Sequence, residues 1–158
     1  RKKPSGRDHV SRRAGQEMGV NMFDNFESRS VFDAETEYAN RLDEWLTKWL
    51  PQNLSVVGEF LNITKKLHDE MGREHYGAQA VYEVMRYHKL QREGAGEFKL
   101  NNNHVSLLAR YIMAKYPQYD GFFSLRTING IPEVRAKHIF EDAMYRAGQL
   151  AARQAELF

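Results

Sequence analysis

The stretch DAETEYANRLDEWLTKWLP, residues 33–51, decides the fold. Ala34, Tyr38, Leu42, Trp45, Leu46 and Trp49 recur at three- and four-residue spacing, which lays them along one stripe of an α-helix. Glu35, Arg41, Glu44 and Lys48 fall off that stripe. Asp33 is a good N-cap type and Pro51 cannot continue a helix, so the spacing predicts a helix between them. A stripe carrying two tryptophans needs other elements to cover it, and the flanking sequence supplies more helices.

Downstream, Asn53 can cap a second helix whose inner side carries Val56, Val57, Phe60, Ile63, Leu67 and Met71, with Gly72 as its stop. A third helix is predicted over 77–91, with Ala80, Val81, Val84, Met85 and His88 inward and Arg86 and Lys89 outward. Gly94-Ala95-Gly96 breaks it, and Glu97-Phe98-Lys99-Leu100 alternates like a short strand. Asn101-Asn102-Asn103 then signals a cap, and a fourth helix runs through Val105, Leu108, Tyr111, Ile112 and Tyr116 to Pro117. After the Asp120-Gly121 turn, 122–127 is the best second strand, and Asn129-Gly130-Ile131-Pro132 turns into the last helix with Pro132 at its first position. Val134, Ile139, Phe140, Met144, Ala147, Leu150, Ala151 and Leu157 face broadly one way along it. The expectation is a mainly α fold: five helices and a small two-stranded β element in a single domain over 21–158. Pairing of 97–100 with 122–127 would make it winged-helix-like, whereas a strand-like segment between helices rules out the simple helix-turn-helix. Residues 1–20 are polar and aperiodic and read as a basic flexible arm.

The chain has 158 residues and no cysteine, which excludes disulfides, thiolate chemistry and the usual structural zinc sites. No apolar run approaches the ~18 residues that span a bilayer, so no membrane partner is expected. The basic start lacks an apolar h-region, so it does not read as a secretory signal, and a cytoplasmic location follows by default. The net charge of +2 is unevenly spread. Residues 1–13 sum to +5, 14–85 to −7, 86–127 to +4, and the remainder is neutral. Such asymmetry points to a polyanionic partner more strongly than the total does.

The basic segment and its approach also hold nine of the chain's nineteen aromatics, between Tyr76 and Phe123. Basic side chains neutralise phosphates, asparagines read bases or phosphates, and exposed aromatics stack on bases. The expected nucleic-acid contacts are Arg86, Lys89, Lys99, Arg110 and Arg126 on phosphate. Asn101, Asn102, Asn103 and His104 would supply polar contacts at a helix entrance that itself favours anions. The bland reading is that the asparagines only cap and the aromatics fill the core, and for the asparagines it is the commoner use. DNA ranks ahead of RNA as partner. A different class of reading makes the acidic 14–85 half a surface that docks on a host or virion protein.

Enzyme readings are weaker. Glu97-Phe98-Lys99 has the Glu-x-Lys spacing of many metal-dependent nucleases, but the upstream acids Asp69 and Glu83 fall in predicted helices. His68 and His75 would lie ~10 Å apart along a helix, too far to share a metal. No phosphate-binding loop, G-x-S-x-G or dinucleotide fingerprint is present, so no cofactor or catalytic residue is assigned. The tryptophan stripe reads as core, and Ala147, Ala151 and Ala155 offer close approach on the last helix.

Gly77-Ala78, Phe98-Lys99-Leu100-Asn101-Asn102-Asn103, Ala109-Arg110, Pro117 and Gly121-Phe122-Phe123 through Arg126 form one further pattern. Across roughly residues 55–127 it resembles a set of small phage and prophage proteins of no established activity. The resemblance implies a phage or prophage setting, with the host cytoplasm as location, and carries over no catalytic residue.

Overall fold

The computed structural model describes residues 22–94, 100–128 and 130–157, with side chains described from Phe32 onward. The arm predicted over 1–20, the Glu97–Lys99 pair and the phosphate contact assigned to Lys99 lie outside the described residues. Five helices carry the described chain, as expected. Helix α1 (Met22–Glu44) continues through a wide turn at Trp45–Trp49 and closes with Leu50–Gln52. It opens well before Asp33, because no glycine or proline interrupts the chain between Val20 and Leu50. Asp33 is therefore an interior helical residue, not a cap.

Pro51 lies within the closing turn rather than after it, and the run ends beyond Gln52. Asn53 leaves the helical conformation, and its side-chain amide donates back to the Trp49 carbonyl at 2.7 Å. That side chain closes the helix before it and makes no cap bond to the helix after it. Helix α2 (Leu54–Lys65) extends through a second wide turn, Lys66–Glu70, and Gly72 stops it with φ +65°. Helix α3 (Ala78–Glu93) ends at Gly94, whose φ of +75° again suits only glycine without strain. Helix α4 (Asn102–Lys115) begins at the Asn101 cap, and α5 (Glu133–Glu156) follows Pro132 directly.

The β element is a short two-stranded parallel pair. Strand β1 (Tyr76–Gly77) pairs in parallel with β2 (Phe123–Ser124), Tyr76 opposite Phe123 and Gly77 opposite Ser124. Among the described residues the 122–127 segment thus pairs with the extended entry to α3, and residues 97–99 of the expected pairing lie outside the described residues. A parallel pair needs a crossover, and α3 with α4 provides it.

Helix α4 is the centre of the domain, burying Val105, Leu107, Leu108, Ala109, Arg110 and Ile112. Leu42 and Trp45 of α1, Phe60 of α2, Val81 and Met85 of α3, and Phe140 of α5 complete the core. Helices α1 and α5 run in the same direction, since Glu35 meets Arg135 and Asp43 meets Arg146, each at 3.0 Å. Beyond Ala147, α5 leaves the body of the domain: Leu150, Ala151, Ala155 and Leu157 are exposed. Ala80 and Val134, expected inward, also face solvent. Among the described residues no helix is long and apolar enough to cross a membrane.

Candidate functional site

The aromatic set of the basic segment is mostly interior. Tyr119, Phe122 and Phe123 are buried, Tyr76, Tyr82, Tyr111 and Tyr116 are half-buried, and Tyr87 alone of those described is fully exposed. Ring-on-ring packing explains this: Phe122 meets Phe123 edge-on at 4.9 Å, and Phe60 meets Phe123 at 5.4 Å. These rings fill the core and are not free to stack on bases.

Several of the expected phosphate contacts are occupied. On α3, Arg86 pairs with Glu83 and Lys89 with Glu93, each at 3.8 Å. Arg92 reaches Glu59 of α2 at 3.6 Å, so acids of the front half neutralise the basic segment locally. Asn101 uses its side-chain oxygen to accept the His104 backbone N–H at 3.1 Å, a cap at the entrance of α4. His104 is held on both counts of its ring chemistry. Its Nδ1 accepts from the Trp45 indole N–H at 3.1 Å, and its ring stacks on Trp49 with centroids 4.4 Å apart. The wide turn at Trp45–Trp49 permits the two indoles to stack as well, 5.3 Å apart and 13° from parallel. Burial pushes the His104 pKa below its ordinary value, and an Nδ1 that accepts from Trp45 belongs to the neutral ring.

Arg110 is the largest departure from expectation. It is 5% exposed, where the sequence pattern placed it on the surface. Its two terminal nitrogens donate to the two carboxylate oxygens of Glu133 at 2.7 and 3.2 Å, and one also donates to the Arg126 carbonyl at 3.4 Å. The fork ties α4 to the first turn of α5 and to the segment after β2. Its Nε–H finds no partner among the described residues.

The remaining residues converge. Asn102 and Asn103 from the first turn of α4, Arg126 and Thr127 from the segment after β2, and Arg41 from α1 line one groove of about 510 Å³. Tyr38 of α1 and Arg110 form part of its lining, and Glu37 is its acidic member. Arg41, Arg126, Asn102 and Asn103 are exposed, and among the described residues neither arginine makes an ion pair. The Arg41 guanidinium lies 5.9 Å from the Tyr38 ring centroid. Tyr38 is 3% exposed, and burial pushes its phenol up to about 12, with Arg110 and Arg41 opposing and Glu133 adding to the rise. Its hydroxyl has no hydrogen-bond partner among the described residues.

A second cavity of about 330 Å³ shares Arg110 and Thr127 with the groove. Met113, Phe123, Leu125 and Phe140 make it chiefly apolar, and the Lys137–Asp120 pair (3.3 Å) stands at its edge. No family model, curated protein or solved structure matches this chain.

Arg41 and Tyr38 were not among the residues singled out from the sequence. Arg41 sits in the acidic 14–85 block, where six bases are outvoted by thirteen acids, and Tyr38 reads as one more member of an apolar stripe. The signal that finds them is the packing of α1 beside the entrance of α4, which no local pattern encodes.

Proposed function

We propose that this chain is a nucleic-acid-binding accessory protein, of the phage type its central motif resembles, and that it binds through the groove between α1, the start of α4 and the segment after β2. One observation carries the reading. Arg41, Arg126, Asn102 and Asn103 come from three separate segments to one concave surface, with both guanidiniums exposed and outside any ion pair among the described residues. Guanidiniums grip phosphate oxygens through paired N–H groups, and the asparagine amides offer both donors and acceptors to phosphate, sugar or base. The groove also receives the amino-terminal end of α4, where unpaired backbone N–H groups favour anions.

The acidic-surface reading has less to stand on. Glu35, Asp43, Glu59 and Glu83 are engaged by Arg135, Arg146, Arg92 and Arg86. The deciding experiment is fluorescence anisotropy with single-stranded and duplex DNA and RNA across a salt series. Binding that weakens linearly in log affinity against log salt is expected, and lack of binding to every form at low salt overturns the reading.

A further inference from the structure

We propose that the floor of the groove is an oxyanion seat, built from the Tyr38 hydroxyl and the Arg110 Nε–H, which takes a terminal phosphate group. Two buried polar atoms, without partners among the described residues, belong to side chains that line the same groove, and they come from different helices. Their chemistry is one-sided. An arginine Nε–H can only donate, and the Tyr38 phenol keeps its proton through the whole physiological range, so its O–H is also available to donate. What is missing from both is an acceptor.

Buried polar groups are seldom left unpaired, because an unmade hydrogen bond costs the full desolvation of the group. Among the described residues no carboxylate fills this place: Glu133 spends both oxygens on the terminal nitrogens of Arg110. Arg41 and Arg126 stand over the same groove and add positive charge around the missing acceptor. Donors approaching from α1, α4 and the segment after β2 surround a tetrahedral oxyanion better than a planar one. A phosphodiester within a strand presents two free oxygens and carries one charge, whereas a phosphomonoester presents three and carries nearly two. The seat therefore suits an end of a nucleic acid, or a free mononucleotide, over the interior of a strand.

The inference rests on the nucleic-acid reading only for the source of the phosphate, and the test separates the two. Short single-stranded oligonucleotides of one sequence, with a 5′-phosphate, a 3′-phosphate or neither, are titrated alongside a nucleoside monophosphate and inorganic phosphate. A preference of about tenfold for a phosphorylated end is expected, and Tyr38→Phe is expected to erase it. Tyr38→Phe should also leave the unfolding midpoint unchanged or raise it, since the lost hydroxyl has no partner among the described residues. Equal binding of all three oligonucleotides overturns the seat and spares the nucleic-acid reading. Tyr38-dependent binding of the monophosphate without binding of any oligonucleotide upholds the seat and overturns that reading. A preference that survives Tyr38→Phe, or a fall in the midpoint of that variant, shows that water or a protein group satisfies the hydroxyl and overturns the proposal.

Discussion

Two basic regions of this molecule, the outer side of α3 and the groove beside α4, look alike as charge and differ as surface. On α3, Arg86, Lys89 and Arg92 alternate with, or reach across to, Glu83, Glu93 and Glu59. Their contacts are long and mostly exposed, the class of pair that contributes ~0–1 kcal/mol. In the groove, Arg110 is buried against Glu133, while Arg41 and Arg126 are left facing outward. Glu133 is taken up by Arg110, and the groove's own acid, Glu37, makes no ion pair with either exposed arginine among the described residues. Charge counted along the chain therefore misleads in both directions. It credits α3 with cations already neutralised, and it hides Arg41 inside an acidic block.

The sharpest way to test that contrast is to remove the acid from each region. Glu133→Ala leaves a buried guanidinium with only the Arg126 carbonyl as acceptor, and should destabilise the fold by about 2–3 kcal/mol. The upper range for buried pairs does not apply, because Glu133 itself is half exposed. Glu83→Ala removes an exposed partner of Arg86 and should cost under about 0.5 kcal/mol. Urea titrations of the two variants decide it. Equal losses would mean that Arg110 is no more dependent on its partner than a surface arginine.

Binding should divide the same regions in the opposite sense. Arg41→Ala with Arg126→Ala should weaken oligonucleotide binding at least about tenfold and lower the salt slope by roughly one per lost phosphate contact. Arg86→Ala with Arg92→Ala should stay within about twofold, since those guanidiniums already have acids beside them. A larger loss from the α3 pair than from the groove pair would move the binding surface to α3. Within the entrance of α4 a finer division is expected. Asn101→Ala should cost about 1 kcal/mol of stability through its lost cap and leave affinity unchanged. Asn103→Ala should weaken binding with little effect on the urea midpoint.

How much of this was open to sequence reasoning depends on the range of the interaction. The five helices follow from apolar spacing and from punctuation by Pro51, Gly72, Gly94 and Pro117, all of which act within a turn or two. The start of α1 did not, because Asp33 offers a cap that an uninterrupted helix has no need to use. The strand pairing did not either. Two residues on each side, Tyr76–Gly77 and Phe123–Ser124, carry no periodicity, and their register is set by how α3 and α4 pack. The site divides the same way. Asn102, Asn103 and Arg126 were visible as residue types near a helix entrance. The burial of Arg110 depends on Glu133, 23 positions away, and nothing in an arginine's own neighbourhood announces such a partner.

His104 lies next to the groove asparagines in sequence, yet it belongs to the tryptophan stack, and its titration should register as stability rather than as affinity. Burial lowers its pKa in the folded chain below the ordinary 6.5, so the unfolded chain takes up the proton first. The contribution is constant above about pH 6.5 and is lost as pH falls from there toward the lowered folded value. It flattens again once both forms are protonated. Protonation also fills the Nδ1 lone pair that Trp45 uses, so the indole N–H and the imidazolium become two donors facing one another. His104→Phe can keep a ring against Trp49 but has neither the proton nor the acceptor. It should cost about 1 kcal/mol at neutral pH through the orphaned Trp45 N–H and flatten the decline between pH 7 and pH 5. The carboxylate of Asp69 does not confuse that window. Its hydrogen bonds from His68 and Tyr119 hold its pKa below the ordinary 3.8, so any stability it contributes is lost only at more acid pH. Urea midpoints at a series of pH values, for the native chain and for His104→Phe, distinguish the cases. A native profile level between pH 7 and pH 5 would mean that His104 is not held neutral by the stack, and would return it to the candidates for a polar contact in the groove.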